Sequence, residues 1–346
     1  MISKLRATVN STRLLRLLAG GLGAALIAAA AWTLAAVRTV APNTGIGEVG
    51  TLVIDPDGTQ SAVGKKISGN QRVNLLFLAH GGTGGDDPDY TDTVLVLSIR
   101  PATHQAVAIS LPRYLWVDIP APARGSVQGK LYSAYALGAS QDPSFLRSSW
   151  RSPTGQGDLA AATVGGVIGQ PIDAWMNVDI KAFEALIDAM GGITLEIPTA
   201  LDDPSFPSDQ TGKTIHIHFD SGQQHLDGVL ALEYARSRLS TSEADRARRQ
   251  EAVMLAMFQR LKSAGLSFEM VLAAGALKDG LRTNLTPAGA LAVRRLLRGV
   301  APGDLDTIVL DDSPLVAERT VGDQEVVVPV SGTFVDLRAY VAEHLP

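Results

Sequence analysis

The sequence predicts a three-layer α/β domain carried behind one N-terminal transmembrane helix. Two observations predict it. One is a charge-free apolar stretch close to the N-terminus. The other is the alternation, beyond residue 72, of short apolar runs with segments of helical periodicity. A chain of 346 residues has room for one large domain or two ordinary ones. With 46% hydrophobic and 19% charged residues it is not a disordered charged chain. The absence of cysteine excludes disulfides, thiolate zinc sites, iron–sulfur clusters and cysteine nucleophiles.

The anchor comes first. Leu17–Val37 carries no charge, and as a helix it reaches about 31 Å, the hydrocarbon thickness of a bilayer. A cleaved signal peptide has a shorter apolar region of about 7–15 residues, although Ala28–Ala31 offers small residues for cleavage. Lys4, Arg6, Arg13 and Arg16 precede the stretch and Arg38 alone follows immediately. That bias keeps the N-terminus in the cytoplasm and places everything from Arg38 outside. The expected division is a cytoplasmic 1–13, a transmembrane helix at 14–37, a linker at 38–71 rich in Gly, Pro and small polar residues, and an extracytoplasmic domain at 72–346. Lys and Arg total 30 against 35 acids, and four of the basic residues sit before the anchor. The body is therefore acidic, which argues against nucleic acid as a partner.

Within the domain, Asn74–Ala79 is a continuous apolar run, the pattern of a strand covered on both faces. Gly81–Gly85 follows it as a glycine-rich loop without the Gly-Lys-Ser/Thr ending of a phosphate-binding P-loop. Thr93–Ile99 and Ala106–Leu111 read as two strands joined in a hairpin through residues 100–104. Lys181–Met190 spaces Phe183, Leu186, Ile187 and Met190 helically, and Gly191-Gly192 stops it. Ile193–Ile197 is a strand. Asp227–Leu232 reads as a short helix leading into an extended Glu233–Arg238. Ser240–Glu243 supplies capping residues for a helix to about Lys262. The stretch 267–346 continues with a helix (Pro287–Arg298), a strand (Thr307–Leu310) and a helix (Phe334–His344), and is expected to pack into the same domain.

The informative chemistry is arginine at regular intervals. In an extended chain Arg236 and Arg238 point to one face and form a paired cationic fork. On a helix Arg246, Arg249, Gln250 and Val253 share one stripe, which continues apolar through Met257 and Leu261. Such a stripe aims its first turn inward, toward an anion that guanidinium groups grip bidentately. A salt-bridge network with Glu233, Glu243 and Asp245 is the competing account. Arg113 leaves the end of a buried strand, where α/β sheets place ligand contacts. Asp92 begins another strand, and a carboxylate together with phosphate is the usual way to hold Mg²⁺. His216 and His218 share a strand face but lack an evident third ligand, and read as surface. Gly-x-Ser-x-Gly is absent, so acyl transfer has no support.

Taken in order, Asn74–Leu78, Thr91-Asp92-Thr93, Ser110–Arg113, Gly129–Tyr135, Asp179…Phe183…Asp188–Gly192, Leu226–Arg238 and Asp245-Arg246…Arg249-Gln250 resemble the LytR–CpsA–Psr family of bacterial cell-wall enzymes. The resemblance covers a motif core at 72–262. It implies a central mixed sheet and a phosphotransferase that moves a glycopolymer phosphate from a polyprenyl-pyrophosphate carrier to peptidoglycan, with polyprenyl phosphate released. It further implies Mg²⁺ at the pyrophosphate, with Asp92 as metal-side carboxylate and catalytic group. Arg113, Arg236, Arg238 and Arg246 are implied as the pyrophosphate clamp, with Lys130 and Gln250 as further contacts. An apolar tunnel between sheet and helices is implied for the lipid. Three places depart from the family pattern. His80-Gly81-Gly82 stands where an acid is usual, Tyr90 where an arginine is usual, and Tyr114 where an aspartate is usual. A polyprenyl-pyrophosphate hydrolase and a non-catalytic lipid-binding or regulatory membrane protein are the alternatives on the same scaffold.

Overall fold

A computed structural model describes residues 59–80, 89–140, 142, 144–208, 211–237, 245–246, 248–250, 252–253, 256, 260, 280–301 and 304–345. The predicted transmembrane helix at 14–37 lies outside these residues. Among those described, no helix is long and apolar enough to cross a membrane.

Structure begins earlier than composition suggests. Residues 62–68, expected in the linker, form helix α1 (Ala62–Ser68). Ser61 Oγ caps it by accepting from the Gly64 N–H at 2.9 Å. Val63 and Ile67 pack on the core, and Lys66 Nζ meets Asp173 Oδ1 at 2.5 Å. The two apolar residues are four apart, which is enough to seat one short helix on the domain.

The strands β1 (Val73–His80), β2 (Thr91–Ile99) and β3 (Ala106–Ser110) form an antiparallel meander, as the apolar runs predict. Next come a hairpin of β4 (Trp116–Ile119) and β5 (Val127–Lys130), then α2 (Ser133–Leu137) and α3 (Gly155–Ile168). Strand β6 (Ala174–Asp179) pairs parallel to β1 and runs directly into α4 (Ile180–Ala189). Two more hydrogen-bonded pairs follow from β7 (Ile193–Ile197), β8 (Leu201–Pro207), β9 (Thr214–Phe219) and β10 (Gly222–Leu226): β7 with β10, and β8 with β9. Helix α5 spans Gly228–Arg236, and the described residues from 245 to 260 are helical as well (α6).

The C-terminal part adds strands to the central sheet. Strand β11 (Leu281–Thr283) joins β6, α7 (Pro287–Gly299) contacts α1, and β12 (Leu305–Val309) joins β3 in parallel. A hairpin of β13 (Val316–Val321) and β14 (Gln324–Pro329) precedes α8 (Val335–His344), which lies against α3. The central sheet has the order β11-β6-β1-β2-β3-β12 and is mixed.

Alternation along β1 explains the layers. Val73, Leu75 and Phe77 face one apolar cluster with α1, α4, α5, α6 and α7. Leu76 and Leu78 face a second cluster with α2, α3, α8 and the β4–β5 hairpin. One expectation fails here. Glu233–Arg236 is helical, not extended, because Ala231, Leu232, Tyr234 and Ala235 are all buried and Asp227 Oδ1 caps the helix from the Leu230 N–H at 2.9 Å.

Candidate active site

Asp92 owes its position to an extra residue in a strand. Strand β1 pairs Ala79 with Thr93 and then His80 with Thr91, so Asp92 is the inserted residue of a β-bulge. A bulge bends its strand and re-aims one side chain. Here it turns the carboxylate toward Arg113, whose Nη1 donates to Asp92 Oδ1. Arg113 emerges just beyond β3, and its Nη2 donates to the Tyr114 hydroxyl. The guanidinium carbon stands 4.3 Å from the centre of the Tyr114 ring. Arg113 Nε is buried and has no hydrogen-bond partner among the described residues.

Lys130 ends β5, and the register Trp116↔Lys130 brings it alongside. Its Nζ lies 5.1 Å from the Tyr114 ring centre and 6.0 Å from that of Tyr132. Tyr90 and Tyr114 meet Tyr132 edge-on, with centroids 4.7 and 5.8 Å apart. Burial, followed by the neighbouring Tyr90 and Tyr114, pushes the Tyr132 phenol upward, so it stays protonated. Two of the departures from the family pattern, Tyr90 and Tyr114, thus belong to one aromatic cluster that brackets the cations.

Arg236, Arg246 and Gln250 come from the other layer. The Gly228 N–H at the start of α5 donates to Asp188 Oδ1 near the end of α4 at 2.8 Å. Arg260 Nε, far along α6, donates to Met190 O just past α4 at 2.8 Å. Arg236 ends α5, and Arg246 lies among the first described residues of α6. Asp179 pairs with His80, at the sheet end that carries Asp92. The Arg236 guanidinium stands 6.0 Å from the Phe206 ring, Arg246 is buried and Gln250 half-buried. Arg238 lies outside the described residues. The fork expected from an extended chain has a different basis for Arg236, which ends a helix where the dipole favours a cation.

Arg249, read from the sequence only as one member of a stripe, has a structural task. Its Nε donates to Tyr234 O at 2.9 Å and its Nη2 donates to Ser237 O, all in a buried setting. The salt-bridge account fits Arg248, which pairs with Asp245 at 2.6 Å on the exposed side. Glu233 is buried, and burial together with Asp227 and Glu184 raises its carboxyl above the ordinary range.

Sequence reading missed a polar group at the ends of β1 and β6. His80 Nδ1 lies 3.2 Å from Asn177 Oδ1, and the His80 ring stacks on Tyr135 with centroids 6.3 Å apart. The legible signal was a polar residue, Asn177, at an inward position of an apolar strand. His216 and His218 are on the surface, as expected. Both reach Asp202 Oδ1, at 2.8 and 2.9 Å. Among the described residues no group of three or more His, Asp or Glu side chains is placed to hold a metal ion. A groove of about 450 Å³ between α3 and residues 169–172, with Asp158 and Asn284 on its wall, contains none of the predicted site residues.

The LytR_cpsA_psr family model matches residues 54–328. The chain belongs to this family. Among LytR–CpsA–Psr relatives, the polyisoprenyl-teichoic acid–peptidoglycan teichoic acid transferase TagV of Bacillus subtilis is 26% identical over 227 residues, 65% of this chain. That match spans about half, 52%, of the TagV chain. The TagU transferase of the same description from Oceanobacillus iheyensis is 30% identical over 233 residues, 67% of this chain and 63% of its own. The crystal structure of Bacillus subtilis TagV superposes with a TM-score of 0.58 at 22% identity, covering 80% of this chain and 98% of that one. This last likeness is one of fold, and it agrees with the mixed sheet between two layers.

Proposed function

We propose that this LytR–CpsA–Psr protein is an extracytoplasmic, membrane-anchored phosphotransferase that moves a glycopolymer phosphate from a polyprenyl-pyrophosphate carrier to peptidoglycan. The observation that carries the reading is the bulge that sets Asp92 against Arg113, with Lys130 alongside over the Tyr114 ring; Arg236 and Arg246 are proposed to meet them from the other layer. The transferase activity for which TagV and TagU are named supports it. Phosphoryl transfer needs positioning and charge neutralisation more than covalent help from the protein. Guanidinium groups supply both.

In this reading Arg113, Arg236, Arg238 and Arg246 hold the diphosphate oxygens, with Lys130 and Gln250 beside them. The pairing of Arg113 with Asp92 and Tyr114 fixes the plane of that guanidinium before substrate arrives. The tail of the lipid is proposed to enter the apolar layer beneath α4, α5 and α6, and the anchor at 14–37 keeps the domain at the membrane that holds this substrate. The donor set suits Mg²⁺ only in company with phosphate. Asp92 offers one carboxylate, of which Oδ1 is engaged by Arg113, and Mg²⁺ commonly takes one or two carboxylates plus phosphate oxygens and waters. Asp92 would hold it, and the ion would neutralise charge on the diphosphate.

The test is extraction and mass spectrometry of lipid that co-purifies with the detergent-solubilised full chain, followed by a transfer assay on Arg236→Ala and Arg238→Ala. A polyprenyl pyrophosphate on the protein and loss of transfer in both variants are expected. Full transfer in both variants overturns the clamp. Turnover that is equal with and without a peptidoglycan acceptor favours the hydrolase, and lipid binding without turnover favours the non-catalytic protein.

A further inference from the structure

We propose that His80 accepts the proton of the acceptor hydroxyl in the transfer step; this rests on the transferase reading above. The Oδ1 atom of Asn177 can only accept a hydrogen bond. At 3.2 Å it therefore holds the hydrogen on His80 Nδ1 and leaves the lone pair of the neutral ring on Nε2. Stacking on Tyr135, with planes 20° apart, fixes the ring a second time. Nε2 looks across 3.9 Å to Asp89 Oδ1. That gap is too wide for a direct hydrogen bond, and it leaves room for a hydroxyl that donates to Nε2 at about 2.8 Å.

Two buried polar groups flank the imidazole. Tyr135 and Asn177 are each 1% exposed, and their side chains interact with each other beside the ring. The place is right for chemistry. His80 opposes the bulge that carries Asp92, and it continues the parity of Leu76 and Leu78, toward the layer that contains Arg113, Lys130 and Tyr135.

Among the described residues, the other acidic and phenolic groups near His80 are already committed. Asp92 pairs with Arg113, and Asp179 Oδ1 caps α4 by accepting from the Ala182 N–H at 2.7 Å. Burial raises the Tyr135 phenol against the opposing pull of its hydrogen bond with Asn177 and of Arg282, so its proton stays on. Asp89 is half-exposed and faces the imidazole, where it stabilises the cation that forms. In the step itself the acceptor oxygen forms a new bond to phosphorus while its proton passes to Nε2. The bond from that phosphorus to the bridging oxygen breaks, polyprenyl phosphate leaves, and the imidazolium returns its proton to solvent.

The experiment compares the full chain in detergent with its His80→Gln and Asp89→Asn variants. A synthetic polyprenyl-diphosphate disaccharide serves as donor and a soluble peptidoglycan glycan fragment as acceptor, and polyprenyl phosphate release is followed from about pH 5 to about pH 9. For His80→Gln, kcat is expected to fall about 100-fold or more, with loss of the acidic limb of the profile. Donor KM should stay within about threefold, because donor binding is left to the arginines. Asp89→Asn is expected to lower kcat about tenfold with donor KM unchanged, since the imidazolium formed in the step loses a neighbouring negative charge. A His80→Gln variant with the wild-type profile and kcat overturns the role of His80 and leaves the transferase reading intact. A wild-type chain that releases nothing with any acceptor overturns both. If His80→Gln does not fold, the Asp89→Asn variant decides, and a wild-type kcat overturns the proposal.

Discussion

Replacing Arg249 by Met tests whether the arginine cluster depends on a buried strut. Arg249 Nε and Nη2 donate to the carbonyls of Tyr234 and Ser237 at the end of α5. Those carbonyls belong to the last turn of a helix, where intrahelical partners run out. The Arg249 side chain is buried, and the charged donor serves both acceptors. Methionine fills similar space without donating, so each carbonyl loses its bond in a site that water reaches poorly. At about 1–3 kcal/mol for each stranded acceptor, the expected loss is about 3 kcal/mol in all. For a domain of this size that corresponds to a drop of roughly 6–9 °C in melting temperature. Arg236 ends the same turn, so transfer activity should fall by at least about tenfold even below the melting transition. Differential scanning calorimetry and the transfer assay read the two effects. A melting point within about 2 °C of wild type would show that the strut holds nothing, because such a shift corresponds to under about 1 kcal/mol.

Three further outcomes are expected. Glu233→Gln should raise the melting temperature at about pH 8 and leave it unchanged at about pH 4: a carboxyl raised in the folded state stabilises while protonated, and that contribution is lost as pH rises through the folded value. A flat difference across that range in the calorimeter would contradict the assignment. Gly157→Ala should destabilise by about 1–3 kcal/mol in urea titration, since a Cβ there would lie 2.1 Å from the Trp175 ring. Lys66→Met should loosen α1, removing the 2.5 Å contact with Asp173 at a cost of about 1 kcal/mol because the lysine is partly exposed; hydrogen exchange of residues 62–68 reads it.

The meander β1–β2–β3 was legible because its strands are covered on both faces and so read as unbroken apolar runs. Helix α4 was legible for a different reason, its Phe183, Leu186 and Ile187 forming one stripe that Gly191-Gly192 ends. Helix α3 was not. Its GQGDLAAATVGGVI is rich in Gly and Ala and largely buried, so neither propensity nor a polar face announces it. Strand β6, AWMNVD, hides its polar Asn177 inside the sheet. At the site, the order of the arginine motifs singled out Arg113, Arg236 and Arg246, of which the structure pairs Arg113 with Asp92. The tyrosine cluster and the His80–Asn177 contact were hidden because they join residues 18 to 97 positions apart. The bulge at Asp92 was hidden because a register shift belongs to a pair of strands and to neither one alone.

The outer strands of the central sheet, β11 and β12, both come from the last fifth of the chain. Until they emerge, β6 and β3 present bare backbone edges to whatever is nearby. At ordinary rates of synthesis the hundred-odd residues between β6 and β11 take roughly 5–20 s to appear. Throughout that interval the nascent chain is open to edge-to-edge association with its neighbours, and a holding chaperone has its clearest reason to act there.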